Sequence, residues 1–337
     1  MNRTLIILLA ACVLPPCMER QLAAAVSSGA VSQAAVPPVL RVPDQEKARE
    51  TVETVYSTWR QSMINHNYQA WKETTSESRQ VRVRNLAVSE KREFPRSLFE
   101  QQPIPPSLVQ LKYVGALGGP SGGTLAATYY GRVDMGLGDG GGRNALVLLF
   151  VHERGKWRYD QQRLFNLSHL PQVKERLARG DFSVLKEQDG FHPYPSSPPV
   201  PPLCRAPQLI GKVFVDAPGR RVTMTINGVS RHEFEDCRMA ETISGGLLRG
   251  RNTITYSIDS LNGKNTGNPL GIGLFVMPET VGNQPAVCFE HVCDEKDAPQ
   301  GGSFTFTVSE DMIRSMNPRS GVAKPAPFRP VPLKTKK

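Results

Sequence analysis

No tryptophan follows Trp157, no cysteine lies between Cys17 and Cys204, and no apolar run reaches the roughly 20 residues that a helix needs to cross a bilayer. The first absence removes from the second half of the chain the widest rings that stack on sugar faces. The second leaves the first folded module without cysteine and indifferent to redox state, and the third argues against a membrane-spanning helix. Signatures of metal and phosphate chemistry are missing as well: the sequence has no HExxH pair and no calcium-loop pattern. The glycine-rich stretches GGPSGG at 118–123 and LGDGGGR at 137–143 lack the helix that follows a phosphate loop, and both read as connections between strands. No spacing of acids and histidines makes a catalytic dyad visible.

What is present suits about two domains. The chain has 337 residues, of which 39% are hydrophobic, enough for each domain to bury a core. Its 28 prolines and 29 glycines crowd into a few stretches that mark boundaries and turns.

At the N-terminus a single positive charge, Arg3, precedes an apolar run from Leu5 to Ala11 and then Cys12, the layout of an export signal. Leu9-Ala10-Ala11-Cys12 resembles the bacterial lipobox, and that resemblance implies a diacylated Cys12 as the new N-terminus. The alternative is simple cleavage after Ala23-Ala24-Ala25, which would also remove the otherwise odd Cys17. The expected location is therefore the cell envelope, lipid-anchored on the outer membrane and facing the periplasm, or else soluble in the periplasm. Export also favours disulfides. Cys204, Cys237, Cys288 and Cys293 allow three pairings, and the short CFEHVC loop favours Cys288 with Cys293 and Cys204 with Cys237. A zinc site built from Cys288, His291, Cys293, Cys237 and His232 is the competing reading, but its spacing fits no zinc finger and export would oxidise the thiols. No metal and no cofactor are expected.

After an uncharged stretch read as a tether, Asp44 can cap a helix in which Ala48, Val52, Val55, Tyr56, Trp59 and Met63 share one face. A less regular helical stretch follows at Tyr68 to Thr75, then a basic, mixed segment from Arg79 to Glu100. Beyond Pro106 the period becomes two, with strands around Val109–Tyr113 and Leu125–Val133 and a closing hairpin, ALVLLFVHERGKWRYD. The opening helix with Trp59, the INHNYQAW segment, the strand TLAATYYGRVDM and that hairpin resemble the nuclear transport factor 2-like superfamily over residues 44–167. The resemblance implies helices on a curved antiparallel sheet, a cone that hosts isomerases and dehydratases but also many non-catalytic modules. An enzyme of this kind needs an acid or base inside the cone. Asp134 and His152 are the candidates placed on strands, with His66 and Asp160 behind them.

Leu170 to Ala178 reads as a short helix, and GFHPYPSSPPVPP at 190–202, with six prolines in thirteen residues, as an extended spacer. Arg179-Gly180-Asp181 recurs by chance too often to carry a role. After Cys204 the chain alternates cleanly, with Asn227-Gly228 as a hairpin turn, and five or more short strands predict a β-sandwich. TMTINGV together with the turn through Leu248, Gly250 and Asn252 resembles galactose-binding-like and immunoglobulin-like sandwiches over residues 206–310.

The net charge of +10 is concentrated in residues 314–337, which hold seven Lys or Arg and no acid. Such a tail is drawn to polyanions, and in an envelope those are lipid or acidic glycan rather than nucleic acid. The expected organisation is an α+β protein: export signal 1–12, tether 13–43, cone domain 44–185, proline-rich linker 186–203, β-sandwich 204–313 and basic tail 314–337. With no catalytic constellation in view, its expected function is non-catalytic binding or scaffolding of an envelope protein or polyanionic glycan. The rival is a cone-fold enzyme or small-ligand carrier with its site inside the first domain.

Overall fold

A computed structural model describes residues 40–100, 104–133, 143–168, 170–261, 269–279, 284–293 and 301–316; Cys12 and Asp134 lie outside them, as do most of LGDGGGR, the tether and the basic tail. The fold is α+β with three four-stranded antiparallel sheets. The chain divides into two compact units, one holding the chain through Gln80 together with Pro95–Pro199, the other Val81–Phe94 together with the chain from Val200 onward.

The first unit opens with α1 (Gln45–Ile64), α2 (Tyr68–Thr74) and α3 (Glu77–Ser89, of which this unit holds the residues through Gln80), then α4 (Arg96–Glu100). Asp44 caps α1 as its sequence requires, its Oδ1 accepting from the Glu46 and Lys47 N–H groups at 3.1 Å. Strands β1 (Lys112–Gly118), β2 (Thr124–Arg132), β3 (Arg143–Glu153) and β4 (Lys156–Asn166) pair in chain order. The sheet begins later than Val109, which is 91% exposed.

β2 and β3 are buried on both sides, so one sheet has two cores. On one face α1 buries Val52, Tyr56, Trp59 and Met63, its Tyr56 and Trp59 rings pack on Tyr159, which in turn meets Phe150, and the Trp59 and Tyr159 rings are 4.0 Å apart. Aromatic rings therefore pack between α1 and the sheet, and burial pushes the Tyr56 and Tyr159 hydroxyls above their ordinary pKa. On the other face Ala126, Ala145, Val147, Leu149 and Phe165 pack under α5 (Pro171–Arg179) and α6 (Ser183–Glu187). Gly180 ends α5 in the left-handed region at φ 81°, where a side chain would be strained.

The second unit holds β5 (Ile210–Asp216), β6 (Arg220–Ile226), β7 (Ser230–Glu235), β8 (Arg238–Thr242), β9 (Gly250–Ser260), β10 (Leu270–Met277), β11 (Ala286–Cys293) and β12 (Gly301–Val308), then α7 (Glu310–Ser315). Its sheets run β11-β10-β5-β8 and β12-β9-β6-β7. Val222, Met224, Ile226, Ile254, Tyr256 and Ile258 turn inward as their alternation predicts. Asn227 and Gly228 both have positive φ, 52° and 69°, the backbone of a two-residue hairpin turn. Asn252 is buried and clamps its turn, accepting from the Leu248 N–H at 2.9 Å and donating to the Leu248 carbonyl at 2.8 Å.

Two expectations need correction. The basic segment from Arg79 onward is helical, and its buried positions within the second unit include Asn85 and Ser89. The proline-rich stretch is no free spacer: in the first unit the Tyr194 carbonyl accepts from Thr124 Oγ1 at 2.5 Å and the Pro199 carbonyl from Ser78 Oγ at 3.1 Å. In the second unit Asn85 Nδ2 donates to the Pro202 carbonyl at 2.8 Å.

The cysteines also depart from the expected pairing, since Cys204 and Cys288 are both buried and neither is joined in a disulfide. Cys288 and Cys293 lie on one strand, β11, where five residues of extended chain separate Cα atoms by about 16 Å, against the roughly 7 Å that a disulfide tolerates. Cys204 instead sits on the helical segment, its Sγ 3.5 Å from Ser89 Oγ and 3.6 Å from the Asn85 carbonyl. Burial raises the Cys288 thiol to a pKa of about 12. Maleimide at pH 8 should accordingly leave Cys204 and Cys288 unmodified in the native protein and label both once it is unfolded, read by mass spectrometry of peptides. Recovery of either residue in a disulfide-linked peptide would reinstate the sequence-based pairing.

Candidate functional site

The first unit carries an open groove of about 640 Å³ lined by Leu40, Val42, Pro120, Arg163, Lys186, Asp189 and residues 192–195. Chemistry of the short GFHPYP segment explains its shape. Phe191 is buried against Phe165, with ring centroids 5.5 Å apart, and fixes one end. Beyond it His192 is extended at φ −75° and ψ 145°, as a residue before proline prefers. Arg163, on β4, holds this segment from beneath: its Nη1 donates to the Gly190 carbonyl at 3.1 Å and the His192 carbonyl at 3.0 Å. Its guanidinium also lies 5.6 Å from the centre of the Tyr194 ring.

The groove is cationic with apolar walls. Arg163 has its pKa lowered by burial, yet a guanidinium remains charged, and its buried Nε has no acceptor among the described residues. Lys186 is exposed. His192 is occupied on both ring nitrogens, Nε2 lying 3.1 Å from the Lys186 carbonyl and Nδ1 3.4 Å from the carboxylate of Asp189. Arg41 secures the N-terminal wall by pairing with Gly118 through two backbone hydrogen bonds of 2.8 Å.

Tyr194 connects the groove to Asp160. Asp160 occupies a β-bulge, since Leu149 pairs with Gln161 and Phe150 with Tyr159, leaving the residue between them without a ladder partner. It is fully buried, and its carboxylate accepts from the Ser76 hydroxyl and, at 2.9 Å, from the Tyr194 hydroxyl. Ser76 Oγ in turn accepts from the Arg79 N–H at 3.0 Å at the start of α3.

Other residues singled out from the sequence do not converge on this groove. His152 is exposed beside the β3–β4 hairpin and meets the edge of Trp157, with ring centroids 5.1 Å apart. His66 is exposed in the left-handed region at φ 52° and stacks on Phe99. Asp181 of the Arg-Gly-Asp tripeptide accepts from the Ser183 N–H at 3.0 Å and hydroxyl at 2.5 Å and from Arg176 Nε at 2.7 Å. It is engaged in its own turn.

The second unit contains a constellation that the sequence did not reveal. Ser230 Oγ lies 2.7 Å from His232 Nε2, and His232 Nδ1 lies 2.7 Å from Glu241 Oε2. The order matches a serine–histidine–carboxylate triad. Ser230, however, is only 1% exposed and its Oγ already accepts from the Ser244 N–H at 2.7 Å, so no substrate reaches it. The chain instead ties the edge strands β7 and β8 of the two sheets. His232 is thereby placed away from metal chemistry, and among the described residues no three His, Cys, Asp or Glu side chains are placed to hold an ion.

No family model, curated protein or solved structure matches this chain.

Two measurements test the site's framework. All three tryptophans, Trp59, Trp71 and Trp157, belong to the first unit, so fluorescence reports that unit. Asp160→Ala removes the acceptor of the buried Ser76 hydroxyl, while the Tyr194 hydroxyl keeps Gln161 Oε1 at 3.1 Å, and should lower the unit's stability to urea by about 1–3 kcal/mol; a change under about 0.5 kcal/mol would remove Asp160 from its assigned role. The second concerns Asp181, whose bonds to Ser183 and Arg176 hold its pKa at about 2. A depressed carboxylate pKa stabilises above the unfolded value of about 3.9 and loses that effect as pH falls toward 2. NMR titration of the carboxyl carbon should show its midpoint near the lower value, and a midpoint near 3.9 would contradict the bonded turn.

Proposed function

We propose that this chain is a non-catalytic, envelope-anchored binding or scaffolding protein. In this reading the first unit is a helix-on-curved-sheet cone and the second a β-sandwich. The observation that carries the reading is the aromatic packing between α1 and its sheet, where Tyr56, Trp59, Phe150 and Tyr159 are buried with their rings in contact. His152 points to solvent and Asp160 is consumed by hydroxyl partners, which removes support from the rival reading as a cone-fold enzyme or carrier. The sandwich is supported by contacts that link its sheets at both edges: His232 to Glu241, and Phe289 stacked on Phe304 with centroids 4.3 Å apart.

Anchoring rests on Cys12, and no helix among the described residues is long and apolar enough to cross a membrane. Cell fractionation should recover the wild-type protein with outer membranes and Cys12→Ala in the soluble periplasmic fraction. Formaldehyde treatment of intact cells should convert the wild type to a discrete adduct of higher mass. Unchanged partitioning of Cys12→Ala overturns the lipid anchor; absence of any adduct across protein and cross-linker concentrations overturns the scaffold reading.

A further inference from the structure

Charge and shape together narrow what the groove of the first unit accepts. Arg163 is pre-positioned, because its Nη1 is already committed to the Gly190 and His192 carbonyls, and its guanidinium adds a fixed positive charge to the groove lining. Lys186 adds a second cation whose ammonium makes a ring contact with Phe182 at 5.4 Å. Against these stands Asp189, which carries the groove's one carboxylate among the described lining residues. The balance is positive and calls for an acid in the ligand. The walls call for something more. Leu40, Val42, Pro120 and Pro195 present carbon rather than donors or acceptors, and Val42 is 52% exposed, so an occupant must bring apolar groups to cover them.

An acidic polysaccharide meets the first requirement and not the second. Sugars bury carbon by laying a ring face on an aromatic platform. Tyr194 is the one Phe, Tyr or Trp ring among the described lining residues, it carries the Arg163 guanidinium 5.6 Å from its centre, and its hydroxyl is spent on Asp160. The chain's own basic tail fails on charge. A peptide in extended conformation satisfies both requirements, since alternate side chains can supply a carboxylate to Arg163 and Lys186 and carbon to the proline walls.

We infer that the groove binds an extended segment of a partner protein in which apolar residues and proline flank at least one carboxylate. This rests on the reading of the chain as a binding protein and specifies where and what it binds. A rigid groove loses little freedom on binding, which favours such short segments.

The test uses the full-length protein and a fluorescein-labelled synthetic peptide repeating glutamate, proline and leucine, followed by anisotropy. Saturable binding that weakens with salt is expected, together with a loss of about tenfold or more in Lys186→Glu, whose exposed side chain should leave the urea midpoint unchanged. The same peptide with lysine for glutamate should not bind, and polygalacturonate should not compete. Equal affinity in Lys186→Glu, or competition by polygalacturonate at matched charge, overturns the inference. If the peptide fails to bind while the formaldehyde adduct forms in cells and survives Lys186→Glu, the groove assignment falls and the binding reading stands. Loss of both removes the two together.

Discussion

A carboxylate buried away from water is tolerated only if hydrogen-bond donors replace its hydration, and Asp160 imposes that condition on the first unit. Its donors come from distant places in the chain. Ser76 arrives at the start of α3, and Tyr194 arrives in the segment after α6. The bulge frees Asp160 from the ladder, so its side chain can reach both. Satisfying one charge therefore fixes three pieces of backbone: the turn into α3, the irregular point of β4, and the proline-flanked stretch that forms the groove. The same turn brings the Arg79 guanidinium within 5.2 Å of the Tyr159 ring centre, over the aromatic layer beneath α1. Groove and core thus share a fastening.

The second unit uses buried polar groups in a different way. Asn85 accepts from the Cys204 N–H at 3.0 Å while donating to Pro202, and Ser89 Oγ accepts from the Gly245 N–H at 2.8 Å. Ser230, His232 and Glu241 form a second closed chain between edge strands. Networks of this kind contribute specificity when every member is paired, because a slipped arrangement leaves donors unmet. That gives Ser230 a reason to face inward beside a histidine without any catalytic demand. A triad-like order of atoms is common ground between enzymes and well-satisfied cores, and the exposure of the hydroxyl separates them.

How much could be read in the sequence depends on whether the buried groups are apolar. α1 was legible because Val52, Tyr56, Trp59 and Met63 repeat at helical spacing behind Asp44. The strands of the second unit were legible through strict alternation, and Asn227-Gly228 through the backbone that its turn requires. α3 was not, because the positions it buries include Asn85 and Ser89, which leave no hydrophobic stripe. The cysteine spacing misled for a related reason: CFEHVC looks like a short loop, yet its Phe289 and His291 alternate inward as a strand requires. The groove was invisible because its lining comes from the start of the described chain, a hairpin turn, β4, α6 and the GFHPYP segment, and no local pattern marks residues that meet only through the fold.

The proline-rich stretch shows how composition can suggest the right conformation and the wrong role. Proline keeps residues 192–195 extended, as expected of a spacer, but an extended chain also exposes its carbonyls to whatever donors lie beneath. Arg163 and Thr124 supply those donors and convert the spacer into a wall. A wall built this way cannot pair with a ligand through a β-ladder, because proline lacks the N–H and the carbonyls of His192 and Tyr194 are already bonded. Recognition at this surface must then run through side chains, through the charge of Arg163 and Lys186 and the carbon of the prolines. That is why the ligand can be argued as a chemical type, acidic and apolar together, without any sequence motif in the protein pointing to it.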